Sequence, residues 1–269
     1  MTATNGLNAL VLAASRPGGD ALARHAGVSH KALIEIDGCT MIERVVAALA
    51  AVPEVGRILI VIDRPEVLSA LPGLRAPQCP KPVITVPAAE SPSASVAAVL
   101  EREGTPIIAT TADHALLMPQ WLQAFIDACP PEADVVAALA RKDAVLACAP
   151  GTQRTYLRFA DGEFSGCNLF FFQRPAAANV VHLWREIEAH RKSPLKMMLR
   201  LGIGTALRYR LGQLRLADAL ARLEALCGAQ VRVVELADGR AAIDVDKPAD
   251  LELVRSLTAK ESLRNVFPA

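Results

Sequence analysis

The chain has 269 residues, 52% of them apolar and only 4% aromatic, and its 29 Lys and Arg against 28 Asp and Glu leave a formal net charge of +1. That length and apolar content can fill one large α/β domain, or a domain with a lid. The near-neutral balance and the scarcity of aromatic residues exclude a global nucleic-acid footprint, so a charged partner has to be met locally.

The stretch Leu10 to Ala14 is apolar without alternation, as in a strand of a parallel sheet covered on both faces. It breaks into Ser15, Arg16, Pro17, Gly18, Gly19 and Asp20, turn formers whose glycines let backbone N–H groups approach a ligand, and an anion is the expected guest. Further β-rich runs at "RILIVID", "PVITV", "PIIATTAD" and "DVVAALA" alternate with helical stretches to about residue 140, the pattern of βαβ units and a mostly parallel sheet. Helix starts are marked by a capping box of Thr40 and Glu43, by Ser91 and Pro92 as N-cap and N1, and by Pro119. Loops after strands thus feed helix N-termini, and ligands in such sheets sit beyond the carboxyl ends of the strands. The opening loop and Asp113, which closes "PIIATTAD", are expected to share a site.

After about residue 150 come "RTYLRF", "GCNLFFF", a helical region from about 176 to 226, a strand "AQVRVVEL" and a final "AAIDVDKPADLELVRSL". No repeat or linker separates the halves, so 1–269 reads as a single domain. The helical region is basic: Arg185, Arg191, Lys192, Lys196, Arg200, Arg208, Arg210, Arg215 and Arg222 outnumber Glu186, Glu188 and Asp218. Acidic substrates or lipid head groups would be attracted there, although membrane contact is not the expected role.

Six cysteines are scattered without a C-x-x-C pair or a histidine at ligand spacing, so reduced, mostly buried thiols are expected. No uncharged apolar run approaches the roughly 20 residues that span a bilayer. Met1 to Ser15 lacks the basic start of a signal peptide and overlaps the first strand, which points to the cytoplasm.

Taken together, "LVLAAS…HKAL", "ESPSASVAAVL", "TTADHALL", "GCNLFFF" and "DVDKPADL" resemble the MobA-like nucleotidyltransferases over nearly the whole chain. The resemblance implies a GT-A-like, Rossmann-like fold, a mostly parallel sheet sandwiched by helices, here with a helical insertion in the C-terminal half. It also implies transfer of a nucleoside monophosphate from CTP or GTP to a small phosphorylated acceptor (a sugar, alditol or lipid-precursor phosphate), releasing pyrophosphate. By the same resemblance Lys31, with Arg16, is expected to stabilise the α-phosphate and the leaving group. Ala13, Ala14, Ser15, Gly18, Gly19 and Ser95 would hold the nucleotide. Asp113 and Asp246 would bind Mg²⁺, with Asp244 competing for the second place, and Asn168, Arg208 and Arg210 would face the acceptor.

That chemistry needs positioning and cations, because charge accumulates on phosphate oxygens and on the departing pyrophosphate. The opening loop departs from the family's "LAAGxGxRMG": Ser15 takes the first glycine position, Arg16 comes early, and His30 replaces the common proline before lysine. Two rival readings are a GT-A glycosyltransferase using "DVD" at 244–246 as its metal motif and a nucleotide-binding protein without catalysis. Against the carboxylate roles stand ordinary ones, since an aspartate after a strand or before "PADLELVRSL" often only caps a helix.

Overall fold

The computed structural model describes residues 6–15, 18–189 and 202–266, with side chains to residue 259. In chain order the elements are β1 (Leu7–Leu12), α1 (Ala21–His25), a small antiparallel hairpin of β2 (Glu35–Ile36) and β3 (Cys39–Thr40), α2 (Met41–Ala50), β4 (Val55–Ile62), β5 (Val83–Pro87) and α3 (Pro92–Glu103). They continue with β6 (Ile107–Thr111), α4 (Pro119–Ala128), β7 (Val135–Arg141), α5 (Lys142–Cys148), β8 (Leu157–Phe159), β9 (Gly162–Phe172) and α6 (Ala177–Ala189). The last are α7 (Ile203–Arg210), α8 (Leu216–Cys227), β10 (Val231–Glu235) and α9 (Pro248–Val266).

The main sheet runs β10-β7-β9-β6-β1-β4-β5, with β8 paired to β9. Every pairing is parallel except those of β9, which lies antiparallel between β6 and β7 and beside β8. Unbroken apolar runs follow from a sheet covered twice. Ala9 and Val11 of β1, Ile58 and Ile60 of β4 and Ile108 of β6 enter one core with Met41, Val45 and Leu49 of α2, Leu122 and Phe125 of α4, and Leu251 and Val254 of α9. The alternate residues Leu10, Leu59, Val61, Ile107 and Ala109 enter a second core with Val96 and Val99 of α3 and Val181 of α6. This is the expected α/β sandwich. The helical insertion is seen as α6, α7 and α8, while Arg191, Lys192, Lys196 and Arg200 lie outside the described residues.

Because β4 and β6 flank β1 on opposite sides, the chain reverses its direction of travel across the sheet there, and a crevice opens beyond the carboxyl ends of β1 and β6. The described cysteines are all free, though only Cys79 and Cys167 are fully buried and the other four are half-covered. Burial pushes the thiols of Cys129 and Cys167 up to about 12, so neither is a nucleophile at neutral pH.

The Thr40 capping box forms as read: Thr40 Oγ1 accepts from the Glu43 N–H, and Glu43 Oε2 accepts from the Thr40 N–H at 3.2 Å. The other Glu43 oxygen accepts from Gly73 N–H at 2.9 Å, tying α2 to a distant turn. Thr40→Ala should therefore lower unfolding free energy by about 1 kcal/mol. Glu43→Ala, which also strands the Gly73 donor, should lower it by roughly 2 kcal/mol. Urea midpoints at constant slope measure both, and a smaller loss for Glu43→Ala than for Thr40→Ala would show that the Gly73 bond contributes nothing.

Candidate functional site

The ladder between β1 and β6 ends at Ala112, whose N–H donates to Leu12 O at 2.9 Å, and Asp113 follows directly at the mouth of the crevice. Lys31 opens a 3-10 turn (Lys31–Leu33) in which Ala32 is buried. Its Nζ lies 2.5 Å from Asp113 Oδ2 and 2.7 Å from Asp246 Oδ1, joining residues 82 and 215 positions apart.

Asp246 arrives through an extended run before α9. Ile243 and Val245 are fully buried in the core, so the alternate residues Asp244 and Asp246 turn to the cleft, and the Val245 N–H donates to Asp113 O at 3.1 Å. Capping of α9 falls to Asp250, whose Oδ2 accepts from the N–H groups of Asp246 and Lys247. The ordinary capping role is thus taken by Asp250. One carboxylate oxygen from each of Asp113, Asp244 and Asp246 lies within 4.8 Å of the others.

Asp244 is the most heavily supported of the three. Arg154, only 7% exposed, pairs with Asp244 Oδ1, donates to the Asp244 carbonyl at 2.5 Å, and lies 3.4 Å from Asp250 Oδ1. Asn168 Nδ2 donates to the remaining Asp244 Oδ2 at 2.8 Å. Burial, Asp113 and Asp246 raise Asp244 above the usual carboxylate range, against the opposite pull of Arg154 and Asn168. For Lys31 burial would depress the ammonium, but Asp113 and then Asp246 outweigh it and hold the group above its ordinary range, so it stays charged at neutral pH.

Asn168 reaches Asp244 because β9 bulges. Ala137 pairs with Phe170 but Leu139 with Gly166, so three residues of β9 oppose Ala138 alone. Asn168, at φ +47°, takes the left-handed conformation that asparagine tolerates. His114, next to Asp113, is completely buried, its ring stacked 6.4 Å from Trp121, and burial pushes it down to about 4 despite the attraction of Asp113. It is a neutral packing residue at neutral pH.

The other expected site residues fall in several places. Ala13 continues the β1 ladder, its N–H donating to Val61 O at 2.9 Å, and Ala14 is exposed beside it. The Ser15 N–H donates to Asp63 Oδ1 at 3.0 Å. Gly18 and Gly19 have φ of +92° and +79°, and a Cβ on Gly18 would meet nothing within 4 Å, so backbone conformation rather than close packing calls for glycine there. Arg16 lies outside the described residues. Ser95 is buried, its Oγ accepting from the Ala89 N–H at 3.0 Å, which braces the loop between β5 and α3.

Arg208 and Arg210 are exposed on α7, and Arg208 pairs with Asp218 at 2.6 Å. Helix α7 docks on the β8–β9 hairpin through Tyr209, which lies edge-on to Phe159 and accepts from the Arg158 N–H. That hairpin projects past the carboxyl end of β7, since Phe164 pairs with Arg141. Sequence reading missed Arg154 and Asp63.

A family model for the MobA-like NTP transferase domain matches residues 9–223. The chain belongs to this family. Among solved structures, a hypothetical transferase from Thermus thermophilus is 29% identical with a TM-score of 0.78, covering 91% of this chain and 99% of that one. The CMP:2-keto-3-deoxy-manno-octonic acid synthetase complexed with CTP is 19% identical with a TM-score of 0.57, covering 95% and 99%. The 4-diphosphocytidyl-2C-methyl-D-erythritol synthase of Anaerococcus prevotii is 10% identical with a TM-score of 0.55, covering 95% and 97%. The last two likenesses are of fold. No curated protein matches the chain. Among the described residues no helix is long and apolar enough to cross a membrane.

Arg154→Leu would leave Asp244 and Asp250 uncompensated beside Asp113, and should lower unfolding free energy by about 3–5 kcal/mol. Adding Asp244→Asn should recover part of that loss. Denaturant unfolding of the single and double variants measures it, and a single-variant loss below about 1 kcal/mol would mean that water already satisfies both carboxylates.

Proposed function

We propose that the protein is a Mg²⁺-dependent nucleotidyltransferase that moves a nucleoside monophosphate from CTP or GTP to a small phosphorylated acceptor and releases pyrophosphate. The observation that carries this reading is the Lys31 ammonium set between Asp113 and Asp246 at the crevice beside the glycine-bearing loop, in a chain of the MobA-like NTP transferase family.

The cluster fits a hard divalent cation. Asp113 Oδ1 is buried, with no hydrogen-bond partner among the described residues. The carboxylates of Asp113, Asp244, Asp246 and Asp250 are gathered around Lys31 and Arg154. Asp113 and Asp246 are the proposed ligands, because both oxygens of Asp244 are already engaged by Arg154 and Asn168. When bound, Mg²⁺ would neutralise phosphate oxygens and the departing pyrophosphate. Lys31 supplies a fixed positive charge at the same place. Ser15 and the glycines after it would offer backbone N–H groups to the triphosphate, and Asn168, Arg208 and Arg210 would line the acceptor side, in a single domain.

The acceptor phosphate attacks the α-phosphorus, the bond from that phosphorus to the bridging oxygen breaks, and pyrophosphate carries away the electron pair. Two fold neighbours are named for cytidine-nucleotide chemistry, which places CTP first in a screen.

The test measures pyrophosphate release from each of four NTPs against phosphorylated sugars, alditols and lipid head-group precursors. Release with one NTP and one acceptor class is expected, and tight NTP binding without release over the whole panel would support a binding protein instead. In the active pairing, Lys31→Ala should lower kcat about a hundredfold with less effect on NTP affinity. Asp113→Asn should lower turnover steeply and raise the Mg²⁺ concentration needed for half-maximal rate. Unchanged activity of that variant at limiting Mg²⁺ would remove Asp113 from the metal site.

A further inference from the structure

Asp63 follows β4, the parallel neighbour of β1, so its carboxylate emerges at the same end of the sheet as the glycine-bearing loop. Its Oδ1 is hydrogen-bonded to two segments. One comes from the Ser15 N–H at 3.0 Å, in the loop after β1. The other joins His30 Nε2 at 3.2 Å, in the residue before Lys31.

His30 is held at both ring nitrogens. Its ring is fully buried, with Nδ1 3.0 Å from Ser29 Oγ and 3.4 Å from Arg64 Nη2. A carboxylate can only accept, so Nε2 donates to Asp63 Oδ1. The orientation of the ring is therefore fixed. His30 also begins the turn that carries Lys31, its carbonyl accepting from the Leu33 N–H at 3.0 Å. The ring and the lysine backbone thus move together. A proline at position 30 would offer no such donor.

We propose that Asp63 is a positioning residue that couples the glycine-bearing loop to the Lys31 turn and so sets the spacing between the loop's N–H groups and the lysine ammonium. The catalytic consequence rests on the nucleotidyltransferase reading, whereas the mechanical coupling does not. Asp63 touches neither Lys31 Nζ nor the carboxylate cluster in any described hydrogen bond, so it acts through the two segments it holds.

Two measurements on the full chain test this. In amide hydrogen exchange, Asp63→Ala should speed exchange about tenfold or more both at Ser15 and in the turn at residues 30–33, the size expected for losing a hydrogen bond to a charged acceptor. Asp63→Asn, which keeps an Oδ1 acceptor, should stay within about twofold of the parent. In pyrophosphate release with CTP or GTP, Asp63→Ala should lower kcat about tenfold with a smaller change in KM for the nucleotide, and Asp63→Asn should restore most of the rate. If the alanine variant does not fold, Asp63→Glu, which keeps the charge but lengthens the arm, should show the same loss of kcat. Faster exchange confined to residues next to 63 would overturn the coupling, and a normal kcat with both segments loosened would overturn its catalytic consequence. Absence of pyrophosphate release by the parent protein would instead overturn the proposed function, and the exchange data would still decide the coupling.

Discussion

Mutual repulsion among carboxylates is the constraint around which the crevice is organised. Asp113, Asp244 and Asp246 come from two distant parts of the chain, yet the fold holds an oxygen of each within 4.8 Å of the others. At that separation a like-charged pair repels by roughly 3–4 kcal/mol at an effective dielectric of about 20. Among the described residues, Lys31 and Arg154 divide the task of offsetting this. Lys31 spans Asp113 and Asp246 from the amino-terminal half, while Arg154 joins Asp244 to Asp250. Each cation comes from a loop rather than from a sheet strand, so loops around the rim are held in place by the charges they neutralise.

The sheet makes this convergence possible. Parallel strands β1 and β6 deliver the opening loop and Asp113 to one edge, and the reversal on either side of β1 leaves that edge open. The antiparallel β9 then brings the second half of the chain through the middle of the sheet, and its bulge turns Asn168 toward Asp244. A regular strand would alternate its side chains between the two cores. The bulge interrupts that alternation at the one place where a polar side chain has to leave the sheet for the cleft.

What could be read from sequence was local. Apolar runs without alternation marked strands buried on both faces, and the Thr40 and Ser91 caps marked helix starts because capping involves residues three positions apart. Lys31, Asp113 and Asp246 stood out through short segments resembling a family. Arg154 and Asp63 did not, because their partners lie 90 and 48 residues away and neither carries a flanking pattern. Thr152, Arg154 and Tyr156 are partly covered while Gln153 and Thr155 are exposed, an alternation that the polar run "TQRTY" does not display. Ser95 was legible as a helix-start residue, but whether its hydroxyl faced a ligand or the Ala89 N–H depended on helix phase against the loop. Gly18 and Gly19 were correctly placed in a turn, although their positive φ rather than close packing is what demands glycine.

The Lys31 contacts also connect two features that sequence presents separately. The ammonium is engaged by Asp113 and Asp246 at 2.5 and 2.7 Å and has little capacity left for phosphate oxygens. Releasing it without compensation would expose two carboxylates to each other and to Asp244 in a partly buried cleft, which the repulsion estimated above disfavours. On the proposed reading, the need for a divalent cation and the role of the lysine are therefore one electrostatic condition. The ammonium becomes available to a triphosphate only to the extent that another positive charge satisfies the carboxylates it leaves. The same reasoning explains why the backbone around Lys31 has to be held from outside the cluster, since a lysine that exchanges partners cannot rely on them for its own position. The buried His30 and its bond to Asp63 anchor that backbone at a point no ligand needs to disturb.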